Sequence, residues 1–233
     1  MDESKSDKTL GELIRMTRTL GEPSRDYVIQ GEGNTSARID EGTFWIKASG
    51  ADPVSANAQS FLRVRLGDVL DIIDGPSMTE AKVRTRLAAA KVDPDAPGSP
   101  SIETATHALC LSLREATFVG HTHPTPVNAI LCAQDAEAAF AGSAYGHEAQ
   151  VCGKPLFVPY APVGQPLARV VREGLRVYQD QHGQPPRVIL LQNHGLVALG
   201  HTPDEVLYIT ALMVKTARIL LGTRAWGGPH FVK

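Results

Sequence analysis

The chain has 233 residues with a net charge of −2, 42% hydrophobic and 21% charged side chains. That length suits one large domain or two small ones with a core that needs no disulfide staples, and a sequence pI near 6.4 carries no basic footprint for nucleic acid. No apolar run approaches the ~20 residues of a membrane span, and the three cysteines Cys110, Cys132 and Cys152 form no C-x-x-C or tight pair. Together with a polar N-terminus lacking a signal-peptide core, this points to reduced thiols and a cytoplasmic setting.

In chain order, residues 1–8 are polar and expected to be disordered, leaving residues 9–233 as the folded domain. Leu10, Leu13, Ile14, Thr17 and Leu20 keep helical spacing and predict an amphipathic helix over 9–20. Gly31-Glu32-Gly33-Asn34-Thr35-Ser36 is a turn. Thr43–Ala48 and Phe61–Leu66 read as strands, with Gly67-Asp68 turning the second into Val69–Ile73. Residues 79–91 form a helix, 93–100 a loop rich in Pro, Asp and Gly, and 101–114 a second helix capped by Ser99 or Ser101. A strand runs through Phe118-Val119 into His121-Thr122-His123, and Thr125–Cys132 is helical. Residues 142–164 are punctuated by Gly and Pro around a strand at 155–158. A helix at 166–180 is followed by the strand Val188–Leu191, the turn Asn193-His194-Gly195 and the strand Leu196–Leu199. Thr202-Pro203-Asp204-Glu205 is a capping box with Pro at the first helical position, opening a helix to about Leu221. Interspersed strands and helices predict a layered α/β domain.

Three histidines carry the chemistry. His121 and His123 alternate on one strand, so both imidazoles lie on one face with Cα atoms roughly 6.5–7 Å apart. Pro124 ends that strand and leaves the pair at a sheet rim. His194, at another strand end, can complete a three-imidazole site with an open coordination position. His107, His147, His182, His201 and His230 lack such pairing and read as ordinary core or surface residues. Glu103 sits in a first helical turn, where the helix dipole favours a carboxylate for capping alone; the functional alternative is a general acid/base beside the metal. Gly31-x-Gly33-Asn34, with Lys47 and Ser49-Gly50, either forms a bare turn or cradles an anion. It lacks the third glycine of a dinucleotide fingerprint.

The order Gly33-Asn34-Thr35-Ser36-Ala37-Arg38, Ile46-Lys47-Ala48-Ser49-Gly50, Pro100-Ser101-Ile102-Glu103, His121-Thr122-His123-Pro124 and Gln192-Asn193-His194-Gly195 resembles the class II aldolase/adducin family, over about residues 10–221. The resemblance implies a single three-layer α/β/α sandwich around a mostly antiparallel sheet, assembled as a homotetramer. It implies His121, His123 and His194 as metal ligands, for zinc or alternatively manganese or cobalt, and Glu103 as the catalytic carboxylate. Gly33, Asn34, Lys47, Ser49, Gly50 and Ser101 resemble the residues around the substrate phosphate. A tyrosine supplied by a neighbouring subunit assists in family aldolases; Tyr145 is the first candidate and Tyr160 the second, with His147 nearby. The activity implied is a lyase of carbohydrate metabolism: reversible retro-aldol cleavage of a ketose or ketose phosphate through a metal-stabilised enediolate. The alternatives are 4-epimerisation, decarboxylation of a 3-keto acid, or a non-catalytic adducin-like module. One departure stands out. Ile102 occupies the place of a second serine and donates no hydrogen bond, which costs a phosphate on the order of 1–3 kcal/mol of contact.

Overall fold

A computed structural model describes residues 3–232. In chain order these form α1 (Glu3–Gly21), β1 (Asn34–Arg38), β2 (Thr43–Lys47), β3 (Phe61–Arg65), α2 (Leu66–Asp74), α3 (Glu80–Ala89), α4 (Thr104–Ser112) and β4 (Phe118–Thr122). The second half adds α5 (Thr125–Leu131), α6 (Ala136–Ala139), α7 (Gly146–Cys152), β5 (Leu156–Val158), α8 (Gln165–His182), β6 (Val188–Leu191), β7 (Gly195–Gly200) and α9 (Pro203–Thr223). The strands make one seven-stranded sheet in the order β3-β2-β1-β4-β7-β6-β5. Every pairing is antiparallel except β5 with β6.

Alternation along the strands builds two cores, one on each face. Val197 and Leu199 of β7 and Ile189 and Leu191 of β6 join α2, α3, α4 and α8. Leu196 and Ala198, with Val188 and Leu190, point the other way into α1, α5 and α9. Because the side-chain period of a strand is two, continuous apolar runs such as Val188–Leu191 feed both layers at once. The result is the expected three-layer sandwich.

Several local expectations change. α1 begins at Glu3, no helix breaker interrupts residues 3–8, Ser6 is buried, and the Thr9 hydroxyl donates to the Lys5 carbonyl at 2.9 Å. Met1 and Asp2 lie outside the described residues. Gly67-Asp68 is no turn but the start of α2, in which Val69, Ile72 and Ile73 are buried at the 3–4 residue spacing of a helix. Neither Ser99 nor Ser101 caps α4; its N-cap is Glu103. At α9 the Thr202 hydroxyl does accept from the Glu205 N–H at 3.2 Å, but the Glu205 carboxylate bonds the His201 N–H instead of closing the capping box. Among the described residues, only the helical stretch Pro203–Trp226 is long and apolar enough by composition to cross a membrane, and Lys215 and Arg218 interrupt its apolar run. Half of that window is buried within the fold, packed on β7, α5, α1 and α7.

Candidate metal centre

The central strands bring the distant histidines together. The β1–β4 register sets Asn34 opposite His121, and β4–β7 sets Thr122 opposite Leu196, just after Gly195. Gly195 is required here. A Cβ on it would stand 2.6 Å from the Thr122 carbonyl and 2.7 Å from His123 Cδ2, so any side chain would push β7 off the His121–His123 segment. Asn193 takes a left-handed φ of +54° to swing His194 back toward the sheet, a conformation Asn tolerates better than most residues. The His194 carbonyl accepts from Asn128 Nδ2 at 2.9 Å.

His121 Nε2 lies 3.0 Å from His123 Nε2 and 3.3 Å from His194 Nε2. The other His121 nitrogen, Nδ1, is 3.0 Å from the Leu196 carbonyl. A carbonyl only accepts, so Nδ1 carries a hydrogen, and Nε2 is the nitrogen turned to the cluster, with a lone pair to offer whenever the ring is neutral. Burial, reinforced by the charge of its histidine neighbours, pushes His123 down to about 3, so it is neutral at ordinary pH. Burial also acts to lower His121, but the neighbouring Glu103 carboxylate outweighs it and raises His121. Three imidazole nitrogens with ligand atoms within 4.8 Å of one another form a donor set that a divalent cation fits and that neutral imidazoles alone would leave facing lone pair to lone pair. The chemistry marks this spot, not its size. Two concavities, about 510 Å³ between β5 and α8 and about 400 Å³ beside Arg187 and Glu205, touch none of the three histidines.

Glu103 stands against the cluster. Its Oε1 is 3.0 Å from His194 Nε2 and 3.3 Å from His121 Nε2. Burial pushes this carboxyl upward, but the charge and hydrogen bonds of His121 and His194 prevail and hold it well below the usual carboxylate range. Its Oε2 accepts from Asn34 Nδ2 at 2.8 Å, and the same nitrogen is 3.1 Å from Ser101 Oγ. Glu32 Oε2 approaches His123 Nδ1 at 3.6 Å from the solvent side.

The expected anion cradle also converges. An isolated bridge pairs Ala48 with Pro100, and the Ser49 N–H donates to the Ser99 carbonyl at 2.9 Å. Residues 31–34, 47–50 and 99–101 therefore meet beside Glu103. Gly33 (φ +64°) and Gly50 (φ +73°) hold conformations natural to glycine, and a Cβ on Gly33 would lie 2.6 Å from the His121 carbonyl. Lys47 is buried, with Nζ donating to the Ala51 carbonyl at 2.6 Å and the Gly31 carbonyl at 3.4 Å, which leaves one N–H for a ligand. Burial drives its pKa down to about 8 despite Asp52 and Glu103. Both N–H groups of Asn34 are engaged by Glu103 and Ser101, so its amide faces the Glu103 carboxylate. Ile102 packs with the core of the α4/α8 layer, against Gly164.

The structure does not bring Tyr145 to the cluster. It precedes α7, its hydroxyl is buried, and its ring packs with the α9 layer, 4.8 Å from the Lys215 ammonium. Tyr160 is exposed, with its backbone N–H bonded to Gln192 Oε1 at 3.2 Å, and His147 pairs with the Tyr208 hydroxyl away from the histidine cluster. The residue that sequence reasoning passed over is His107. It is buried on α4, four residues after Glu103, and bonds both Asn34 and Ser36. The Glu103/His107 spacing, one helical turn on one face, was the available signal.

The profile of the Class II Aldolase and Adducin N-terminal domain matches residues 11–221. The chain belongs to this family. Solved structures share the class II aldolase fold. The N-terminal class II aldolase domain of a conserved protein from Thermoplasma acidophilum is 24% identical with a TM-score of 0.71, covering 90% of this chain and 92% of that one. An L-fuculose 1-phosphate aldolase is 19% identical with a TM-score of 0.72, covering 97% and 91%. YgbL from Klebsiella pneumoniae, for which aldolase, epimerase and decarboxylase activities are all named as candidates, is 20% identical with a TM-score of 0.69, covering 93% and 90%. No curated protein matches the chain.

Proposed function

We propose that this class II aldolase family member is a metal-dependent carbon–carbon lyase that cleaves a ketose or ketose phosphate by a reversible retro-aldol reaction. The observation that carries the reading is the placement of Glu103 Oε1 within 3.0–3.3 Å of two of three converging imidazoles. His121, His123 and His194 would hold a divalent ion, with zinc preferred and manganese or cobalt as alternatives. Bound there, the ion supplies Lewis acidity toward the carbonyl and neighbouring hydroxyl oxygens of the substrate.

The chain's own residues do the rest. In the condensation direction, ionised Glu103 removes a proton from the carbon beside the ketone, and that carbon's electron pair attacks the aldehyde. In cleavage the distal hydroxyl gives its proton to solvent water as the bond breaks and becomes the aldehyde, the electron pair stays on the carbon beside the ketone, and Glu103, having taken a proton from water, delivers it to that carbon and is ionised again. Asn34 ties down Oε2 and leaves Oε1 for this work. Lys47, Ser49, Gly50, Gly33 and Ser101 would receive the anionic end of the substrate. The same centre suits loss of carbon dioxide from a 3-keto acid, and 4-epimerisation if the aldehyde fragment is held and re-added. Ile102 favours the decarboxylase as the second reading, since it withholds one hydroxyl from a phosphate. A non-catalytic adducin-like role sits poorly with an intact histidine cluster. A tetramer is proposed on the family resemblance.

The test is a screen of metal-loaded protein against ketose phosphates, free ketoses and 3-keto acids, with products scored by mass spectrometry. The lyase reading expects an aldehyde and a ketone in equal amounts. Carbon dioxide without an aldehyde would replace it with the decarboxylase.

A further inference from the structure

We infer that His107 is a positioning residue that aims Glu103, acting through the side-chain amide of Asn34. The inference rests on the reading of Glu103 as the proton-handling carboxylate.

Hydrogen-bond bookkeeping admits one arrangement. Glu103 Oε2 can only accept, so the Asn34 atom 2.8 Å away must be the NH2 end of the amide. The Asn34 carbonyl oxygen then faces His107 Nε2, which must carry the imidazole hydrogen. His107 Nδ1 is left as a lone pair and accepts from the Ser36 hydroxyl at 2.7 Å. The donors run in one direction: Ser36 to His107, His107 to Asn34, Asn34 to Glu103. Flipping the Asn34 amide would set a donor against the His107 N–H and a carbonyl against the Glu103 carboxylate, so the imidazole locks the amide. Burial, with the charge of His121 adding to it, pushes His107 down to about 3, so the ring stays neutral with a single N–H.

The position is not one that packing alone would fill with histidine. Ala105, Thr106, Ala108, Leu109, Cys110 and Leu111 around it on α4 are all buried. An imidazole there is tolerated because both nitrogens are bonded. An apolar replacement would strand the buried Asn34 oxygen and release the amide to rotate. Glu103 Oε2 would lose its fixed donor, and Oε1 its fixed aim at the imidazoles.

Two measurements test this. In zinc-loaded protein with 15N-labelled histidine, long-range proton–nitrogen NMR reads the tautomer of each ring, and His107 is assigned by the signals lost in His107→Gln. The expected result is the Nε2–H tautomer, unchanged from pH 6 to 8; an Nδ1–H tautomer or an imidazolium would overturn the arrangement. Kinetically, His107→Leu should keep wild-type zinc content and KM while kcat falls on the order of 10- to 100-fold, the usual cost of a misaimed group. His107→Gln, which restores an N–H near the Nε2 position, should recover most of that loss. Wild-type kcat in His107→Leu, or an equal fall in both variants, would remove the positioning role. If His107→Leu does not fold, the tautomer of the wild-type protein decides. Full turnover in Glu103→Gln would overturn the assignment of Glu103 instead, and the tautomer would still decide whether His107 orients Asn34.

Discussion

The two oxygens of Glu103 do different things: Oε2 takes the Asn34 donor and Oε1 faces His121 and His194. Glu103→Gln preserves shape but removes the base. It should retain metal while turnover falls at least ~100-fold, the scale of a lost general base. Near-normal activity in that variant would sink the assignment. Lys47 offers a second test. Its folded pKa of about 8 lies below the ordinary 10.5, so below pH 8 it is charged in both folded and unfolded chains and its burial costs stability. That cost is relieved as pH rises from about 8 to 10.5. Binding runs the other way, because the ammonium is lost above pH 8. KM for an anionic substrate should therefore climb by up to about tenfold per pH unit above 8, while an uncharged substrate shows no such rise. A flat KM for the anionic substrate would detach Lys47 from the anion. At this scale the sequence showed the residue types clearly and their partners poorly. His121, His123 and His194 were legible because strand alternation and the resemblance agree. His107 was not, since a single histidine on a helix declares no partner until Asn34 arrives from β1. Tyr145 lies in a stretch whose spacing did not fix which face it would take, and in the folded chain its ring packs with the α9 layer.

At the scale of elements, the centre depends on β4 and β7 lying close enough for three imidazoles to meet. Gly195 permits that approach. Gly195→Ala places a methyl group 2.6 Å from a backbone carbonyl that cannot yield cheaply. We expect about 1–3 kcal/mol of destabilisation in the metal-free protein and weaker metal binding on top of it. Denaturant unfolding of the chelated protein measures the first and metal titration the second. Unchanged values in both would show that β7 can shift freely, contrary to its pairing with β4. Val188–Leu191 and Leu196–Leu199 were readable as strands because they are apolar on both faces, as a strand between two helical layers must be, whereas β1 was not: the stretch read as a turn through Ser36 is strand from Asn34 onward. The stretch after β3 misled because Gly67-Asp68 imitates a hairpin turn. Val69, Ile72 and Ile73 already held the helical period that tertiary burial then selected.

For the whole molecule, the proposed ligands, His121 in β4, His123 just after it and His194 just before β7, would tie together the middle of the sheet when a metal is bound. A ligand bound only by the folded state stabilises it by about 2.7 kcal/mol at 100 times its Kd. For a domain of this size that is roughly 5–11 °C in Tm, which chelation should remove reversibly. Binding must also displace the proton that Glu103 encourages on His121. Because the His121 pKa is raised above its ordinary 6.5, metal affinity should fall as pH drops from 8 toward 6, by up to about tenfold per unit for one displaced proton. A Kd constant over that range would show that no proton is exchanged. The layered architecture followed from interspersed elements and the family resemblance, whereas the position of each helix layer required the two buried clusters. The most direct measurement is elemental analysis of the purified protein beside the variant His121→Ala/His194→Ala. The account predicts about one divalent ion per wild-type chain, removed by chelation and restored by zinc, and none in the variant. Metal-free wild-type protein that takes up no zinc, or a variant that binds as much as wild type, would contradict it.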